Sequence, residues 1–138
     1  MNKSEVLKRL NASSQNTLMQ TLEIEYIDIG EDFLTASMPV SPRVHQPDGV
    51  LHGGATVALA ETVGSAASHV LLGSKETVIR GIEISANHLK SVTAGIVQAK
   101  AVLTHKGKTL QLWDIEVRDE ENRLISKCKL STICLKRR

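Results

Sequence analysis

The sequence predicts an α+β fold, an antiparallel sheet of about six strands wrapped around one long central helix. Three observations carry that expectation. A long apolar segment, Ala55 to Leu72, is rich in Ala, Ser and Gly and is interrupted by Glu61. Short stretches in which apolar and polar residues alternate flank it on both sides. Most of these are joined by turns too short for the crossover that parallel strands require.

Taken in order, Ser4 precedes a short helical pattern through Val6, Leu7 and Leu10, and a weaker one covers Thr17 to Thr21. The period then changes: Leu22, Ile24 and Tyr26 alternate with Glu23 and Glu25, which is strand behaviour. Gly30-Glu31-Asp32 reads as a turn. Leu34, Ala36, Met38 and Val40 alternate with Thr35 and Ser37, a second strand that forms a hairpin with the first. Ser41 to Leu51 is a loop holding Pro42 and Pro47. His52-Gly53-Gly54 opens the long helix and Gly73 stops it. The helix is apolar nearly all round, so other structure must surround it. Four strands follow. Ile82, Ile84, Ala86 and His88 share one parity, and Val97, Ala99, Ala101 and Leu103 share another. After a tight turn at Lys106-Gly107-Lys108, Trp113, Ile115 and Val117 alternate with Asp114, Glu116 and Arg118. Asp119 to Asn122 turns the chain into a last strand, Leu124 to Leu135. With no internal repeat, linker or low-complexity segment, residues 1–138 read as one domain.

Composition narrows the function. Only Tyr26, Phe33 and Trp113 are aromatic, so the core must be packed from Val, Ile, Leu and Ala. The net charge of +2 is too mild for a nucleic-acid binder, and the one basic run, Lys136-Arg137-Arg138, reads as a solvated tail. No Cys/His cluster has metal spacing, and neither a metal nor a separate cofactor is expected. Cys128 and Cys134, if on one strand, lie about 20 Å apart and cannot bond to each other. Met1 to Leu10 is amphipathic and charged rather than a signal sequence, and the 55–72 segment reads as a buried helix rather than a membrane span. The expectation is a cytoplasmic protein with no membrane partner.

The chemistry concentrates between His45 and Ser65. Gly53 and Gly54 leave the backbone bare at a helix start, where N–H groups lack intrahelical partners and the helix dipole is positive. Such a site can hold a carbonyl oxygen as it becomes an oxyanion, or the glycines only permit a tight loop-to-helix turn. Glu61 is an ionisable group amid small apolar neighbours, with no lysine or arginine at helical spacing. It is either used in chemistry or held in a structural ion pair, with Arg80 or His88 as partners. Gly53 and Glu61 are about 12 Å apart along one helix, so one carbonyl cannot touch both. If they serve one reaction, Glu61 comes from a second subunit whose helix runs antiparallel. Gln46 can hydrogen-bond a carbonyl, a water or Glu61, or be a solvent-exposed loop amide. His52 can polarise a carbonyl or merely cap the helix. Ser65, one turn after Glu61, can hold a water or simply pack between helices. No serine-hydrolase elbow, phosphate loop or dinucleotide fingerprint is present.

Four segments carry a family resemblance across nearly the whole chain: Gln46-Pro47-x-Gly49-x-Leu51-His52-Gly53-Gly54, Leu59-Ala60-Glu61-x-x-Gly64-Ser65, Gly81-Ile82-Glu83-Ile84-x-Ala86-Asn87-His88, and Gln111-x-Trp113. The sequence resembles the hotdog-fold thioesterases of the phenylacetate-degradation type. It is most similar to the branch that cleaves aromatic acyl-CoAs such as dihydroxynaphthoyl-CoA in menaquinone biosynthesis, and to the enterobactin proofreading thioesterases. The resemblance implies that the Gly53 amide and His52 polarise the thioester carbonyl and that Gln46 orients the carbonyl or a water. Glu61 of the neighbouring subunit would be nucleophile or general base, supported by Ser65. It also implies that coenzyme A lies near His88-Leu89-Lys90-Ser91 and the His105-Lys106-Gly107-Lys108 turn, that Gly81 permits close approach of ligand or partner backbone, and that the subunits form a dimer of dimers. Lys90 and Lys108 are point charges, and lack the forked phosphate grip of arginine. Three other readings stay open: an acyl-CoA-binding module without catalysis, a hotdog hydratase or dehydratase, and a domain with a dead site.

Overall fold

The computed structural model describes residues 1–138. Helix α1 (Lys3–Ala12) and the single turn α2 (Leu18–Thr21) precede a hairpin of β1 (Glu25–Ile29) and β2 (Phe33–Val40). A loop with one 3-10 turn leads to α3 (Gly53–Leu72), and four strands complete the chain: β3 (Thr77–His88), β4 (Gly95–Lys106), β5 (Leu110–Arg118) and β6 (Leu124–Lys136). They form one six-stranded sheet in the order β1-β2-β4-β5-β6-β3, every neighbouring pair antiparallel. The sheet curls around α3, which makes this the α+β hotdog fold.

The core lies between α3 and the concave face of the sheet. Strand β5 shows why: Trp113, Ile115 and Val117 are fully buried, while Asp114, Glu116 and Arg118 turn to the convex face. Val97, Ala99 and Ala101 do the same on β4. The helix buries Thr56, Leu59, Ala60, Val63, Gly64, Ala67 and Ser68 against them. Gly64 is where helix and sheet come closest, since a Cβ there would lie 2.5 Å from Leu130 Cδ2 and 3.0 Å from Ile115 Cδ1. At the N-terminus, Asn11 pins α1 to β1 by exchanging two hydrogen bonds with the Tyr26 backbone, at 2.8 and 3.0 Å.

Several boundaries differ from the sequence expectation. Asn2, not Ser4, caps α1, its side chain accepting from the Glu5 amide. Strand β1 starts at Glu25, because α2 extends into a turn through Leu22 and Glu23, the latter at φ 58°. Strand β3 begins five residues before Ile82, at Thr77. A bulge between Gly81 and Glu83 inserts Ile82 as an extra residue, 56% exposed, while Ile84 and Ala86 pack toward the core. The helix is not surrounded on all sides within one chain: Glu61 and His69 are exposed, and Ala58, Thr62, Ser65 and Ala66 are only half-buried. The two cysteines are both on β6 and are free, the outcome expected if they share one strand.

Candidate active site

The loop before α3 is built to deliver its first turn. Gly49 adopts φ 79°, a left-handed conformation that favours glycine, and closes a turn in which its N–H donates to Gln46 O at 2.9 Å. The Gln46 N–H donates to Val50 O at 2.8 Å, and Leu51 and His52 are tied to Val92 and Val44. The Gln46 side-chain oxygen accepts from the Asp48 amide, which leaves the carboxamide NH2 to donate elsewhere.

His52 is the N-cap: its Nδ1 accepts from the Gly54 N–H at 2.7 Å. A ring nitrogen that accepts carries no proton, so in the neutral imidazole the proton sits on Nε2, where it can be donated. The Ala55 and Thr56 N–H groups donate to His52 O. Of the first four amides of α3, only that of Gly53 therefore finds no acceptor in the chain. Gly53 lines a cavity of about 300 Å³ with Gln46, His88, Leu89, Lys90 and Ser91. A Cβ on Gly53 would lie 2.9 Å from His88 Nε2. That imidazole is fixed from behind by Ser126 Oγ at 3.0 Å from its Nδ1. The Leu89 and Lys90 amides both donate to Ile125 O, holding the 88–91 segment at the start of β6.

Glu61 lies elsewhere. It is exposed and makes no ion pair; Arg80 is turned back onto the Ile79 carbonyl, and His88 is engaged at the other end of the helix. The structural ion pair considered from sequence is absent, and so is the burial expected for this carboxylate within a single chain. A Cβ at Gly81 would meet Glu61 Oε2 at 3.0 Å and Ser65 Oγ at 3.5 Å, so the missing side chain on β3 leaves room for the carboxylate. Glu61 and Ser65 open onto an apolar groove of about 610 Å³ lined by Leu10, Leu18, Met19, Tyr26 and Ile79. Burial pushes the Tyr26 hydroxyl up to about 12, so it stays protonated.

Two half-sites therefore sit on each chain. One, at the N-terminus of α3, gathers Gln46, His52, Gly53, His88, Leu89, Lys90 and Ser91. The other gathers Glu61, Ser65 and Gly81. The turn of His105, Lys106, Gly107 and Lys108 falls at that second end of the sheet, because Cys134 on β6 donates to Thr109 O whereas His88 pairs with Ser126. Those two points on β6 are about 26 Å apart. The structure thus does not bring the two candidate coenzyme segments together in one chain. The apolar groove was not read from sequence; Val6, Leu7 and Leu10 on α1 pack against the core, and of these Leu10 also lines the groove. Chemically, the first half-site offers the unpaired Gly53 N–H at a helix start, facing a cavity, and the second offers a carboxylate beside an apolar surface.

Residues 48–126 match the Thioesterase superfamily. The chain is 45% identical over 126 residues to the proofreading thioesterase EntH of Cronobacter turicensis, covering 91% of each chain. Its structure is similar to that of a thioesterase from Haemophilus influenzae, with a TM-score of 0.90 at 42% identity over 94% of this chain and 90% of that one. It is also similar to a variant thioesterase from Pseudomonas aeruginosa, with a TM-score of 0.92 at 37% identity over 95% and 94%. The chain belongs to the thioesterase superfamily. It is a hotdog-fold hydrolase with the general acyl-CoA thioesterase activity of that family, closely related to the EntH-type proofreading enzymes.

Proposed function

We propose that the protein hydrolyses an aromatic acyl-CoA to the free acid and coenzyme A, at sites shared between two subunits. The observation that carries this reading is the separation on α3. The unpaired Gly53 N–H and the unpaired Glu61 carboxylate lie eight residues apart, about 12 Å along one axis. An antiparallel helix from a second copy brings Glu61 of one subunit opposite Gly53 of the other. The half-exposed flank of α3 and the long edge strand β3 offer the surfaces for such a pairing.

In this reading the thioester carbonyl accepts from the Gly53 N–H and from His52 Nε2–H, with the Gln46 carboxamide orienting the carbonyl or the water. Glu61 of the second subunit takes a proton from water held with Ser65 as the water oxygen bonds to the carbonyl carbon. The tetrahedral oxyanion then collapses, the C–S bond breaks, and the coenzyme A sulfur leaves with a proton. The same carboxylate can instead attack directly, forming an anhydride that water opens. The acyl group lies in the apolar groove beside Glu61, and Gly81 leaves that approach open. Lys90, Ser91 and the His88-Leu89 backbone receive the nucleotide end together with the His105-Lys106-Gly107-Lys108 turn; the span between these segments calls for contributions from different subunits. The family resemblance favours a dimer of dimers and a place in menaquinone biosynthesis, and the unpaired cysteines suit a reducing cytoplasm.

Thiol release from a panel of aromatic and straight-chain acyl-CoAs tests this directly. Wild type is expected to prefer aromatic substrates, and Glu61→Gln to lose about a thousandfold or more in kcat. Equal activity in the two proteins would remove Glu61 from the chemistry.

A further inference from the structure

Behind the Glu61 half-site lies a buried polar chain that the proposed reaction leaves unused. Ser68, Trp113 and Thr132 are fully buried and Gln111 nearly so. Trp113 Nε1 donates to Ser68 Oγ at 2.7 Å, Ser68 Oγ and Thr132 Oγ1 are 2.6 Å apart, and Thr132 Oγ1 donates to Gln111 Oε1 at 2.9 Å. Gln111 Nε2 in turn donates to Thr109 O at 3.2 Å. The direction of every proton is determined. An amide oxygen only accepts, so Thr132 spends its one O–H on Gln111; Ser68 must then donate to Thr132 while accepting from the indole. The chain runs one way, from Trp113 through Ser68 and Thr132 to Gln111.

Four linked polar groups in a mainly aliphatic core are costly unless fully satisfied, and no buried side-chain nitrogen or oxygen is left unpaired. Their return is geometric. Glu61, Ser65 and Ser68 are spaced four and three residues apart, so they form one stripe of α3. Thr132 sits in register with Gly81 on one side and Gln111 on the other, and Gly81 is the residue against which Glu61 Oε2 rests. Close packing already resists displacement of α3; a hydroxyl bonded on two sides adds a directional constraint, because distance and angle must both be kept.

We infer that Trp113, Ser68, Thr132 and Gln111 form a positioning device that fixes the rotation of α3 about its axis and so holds the Glu61 carboxylate at its working position over Gly81. This rests on the reading of Glu61 given above. The four are positioning residues acting through Glu61, on a different principle from the packing that Gly64 provides.

The test measures kcat, KM and thermal unfolding for Ser68→Ala, Thr132→Val, Thr132→Ser and Trp113→Phe, with Ser68→Ala also built on Glu61→Gln. A shift of about 1 Å at a reacting group is worth about a hundredfold, so Ser68→Ala and Thr132→Val are expected to lower kcat tenfold to a hundredfold with KM within about twofold. Thr132→Ser keeps the hydroxyl and is expected to retain kcat within about threefold. In the Glu61→Gln background, Ser68→Ala is expected to change the residual rate by less than about twofold, because the group it positions is already gone. Trp113→Phe removes the first donor while leaving the two hydroxyls paired, and is expected to show the same kcat-only loss should Ser68→Ala or Thr132→Val fail to fold. An undiminished kcat in folded variants, a loss equal in both backgrounds, or Thr132→Ser as impaired as Thr132→Val would overturn the inference. Glu61→Gln alone reports on the underlying reading, so failure there is distinct from failure of the positioning device.

Discussion

Gly53 combines two properties that a substitution can separate. Its N–H is the free donor of the helix start, and its missing Cβ makes room for the His88 ring. Proline suits this first helical position, and His52, at φ −67° and ψ 129°, already has the extended backbone that a following proline demands. Gly53→Pro therefore deletes the N–H while keeping the helix, and Gly53→Ala adds the same Cβ while keeping the N–H. If the amide stabilises the oxyanion, kcat for thiol release should fall about a hundredfold further in Gly53→Pro than in Gly53→Ala. Equal losses would assign the effect to crowding of His88. At this scale the sequence was informative where a residue type conflicts with its surroundings. A lone glutamate in an apolar helix and paired glycines after a proline-pinned loop stand out without coordinates. The contact of His88 with Gly53 did not, because it joins residues on separate elements through ring orientation alone. Glu61 was also expected to be buried, an inference sound for a helix interior but wrong for a helix flank that a single chain leaves open.

Elements were legible in proportion to how cleanly one face meets the core. Strand β5 alternates strictly and was readable residue by residue, whereas β3 opens with Val78, Ile79 and Arg80 and then bulges at Ile82, which hides its first five residues from any period-two reading. The contact of α3 with the sheet depends on Gly64, and Gly64→Ala should destabilise the protein by about 1–3 kcal/mol in chemical denaturation, because Leu130 and Ile115 must shift to admit a methyl group. On the convex face, Lys127 bridges Asp114 and Glu116 at 2.6 and 3.1 Å, and Arg118 bonds Glu116 at 2.8 Å. Hydrogen bonds from Arg118 and Lys127 hold the Glu116 carboxyl below the usual glutamate range. A carboxylate whose pKa is depressed on folding contributes stability above its unfolded pKa and loses it as pH falls through the folded value. The melting-temperature advantage of wild type over Glu116→Gln should accordingly shrink between about pH 6 and about pH 3. These charges are substantially exposed, so the effect is small and screened by salt. An advantage that grows on acidification would contradict the sign.

For the whole molecule, the arrangement of half-sites matters more than any one of them. Each chain carries a free amide at the start of α3 and a carboxylate two turns on, beside an apolar groove roofed by α1 and α2. The sequence revealed this division through the rise of a helix, a rigid ruler once Gly53 and Glu61 are placed on the same one. The groove could not be foreseen, since it depends on how the N-terminal helices fold back over α3. Subunit complementation is the most direct measurement of a site shared between chains. Glu61→Gln and Gly53→Pro each disable one half-site, so neither homodimer should release thiol at an appreciable rate. Co-expressed in equal amounts and pairing at random, half the dimers are mixed, and each mixed dimer holds one intact site. Thiol release should then return to about one quarter of the wild-type kcat. Activity that stays at the level of the two separate variants would show that Glu61 and Gly53 do not meet across a subunit boundary.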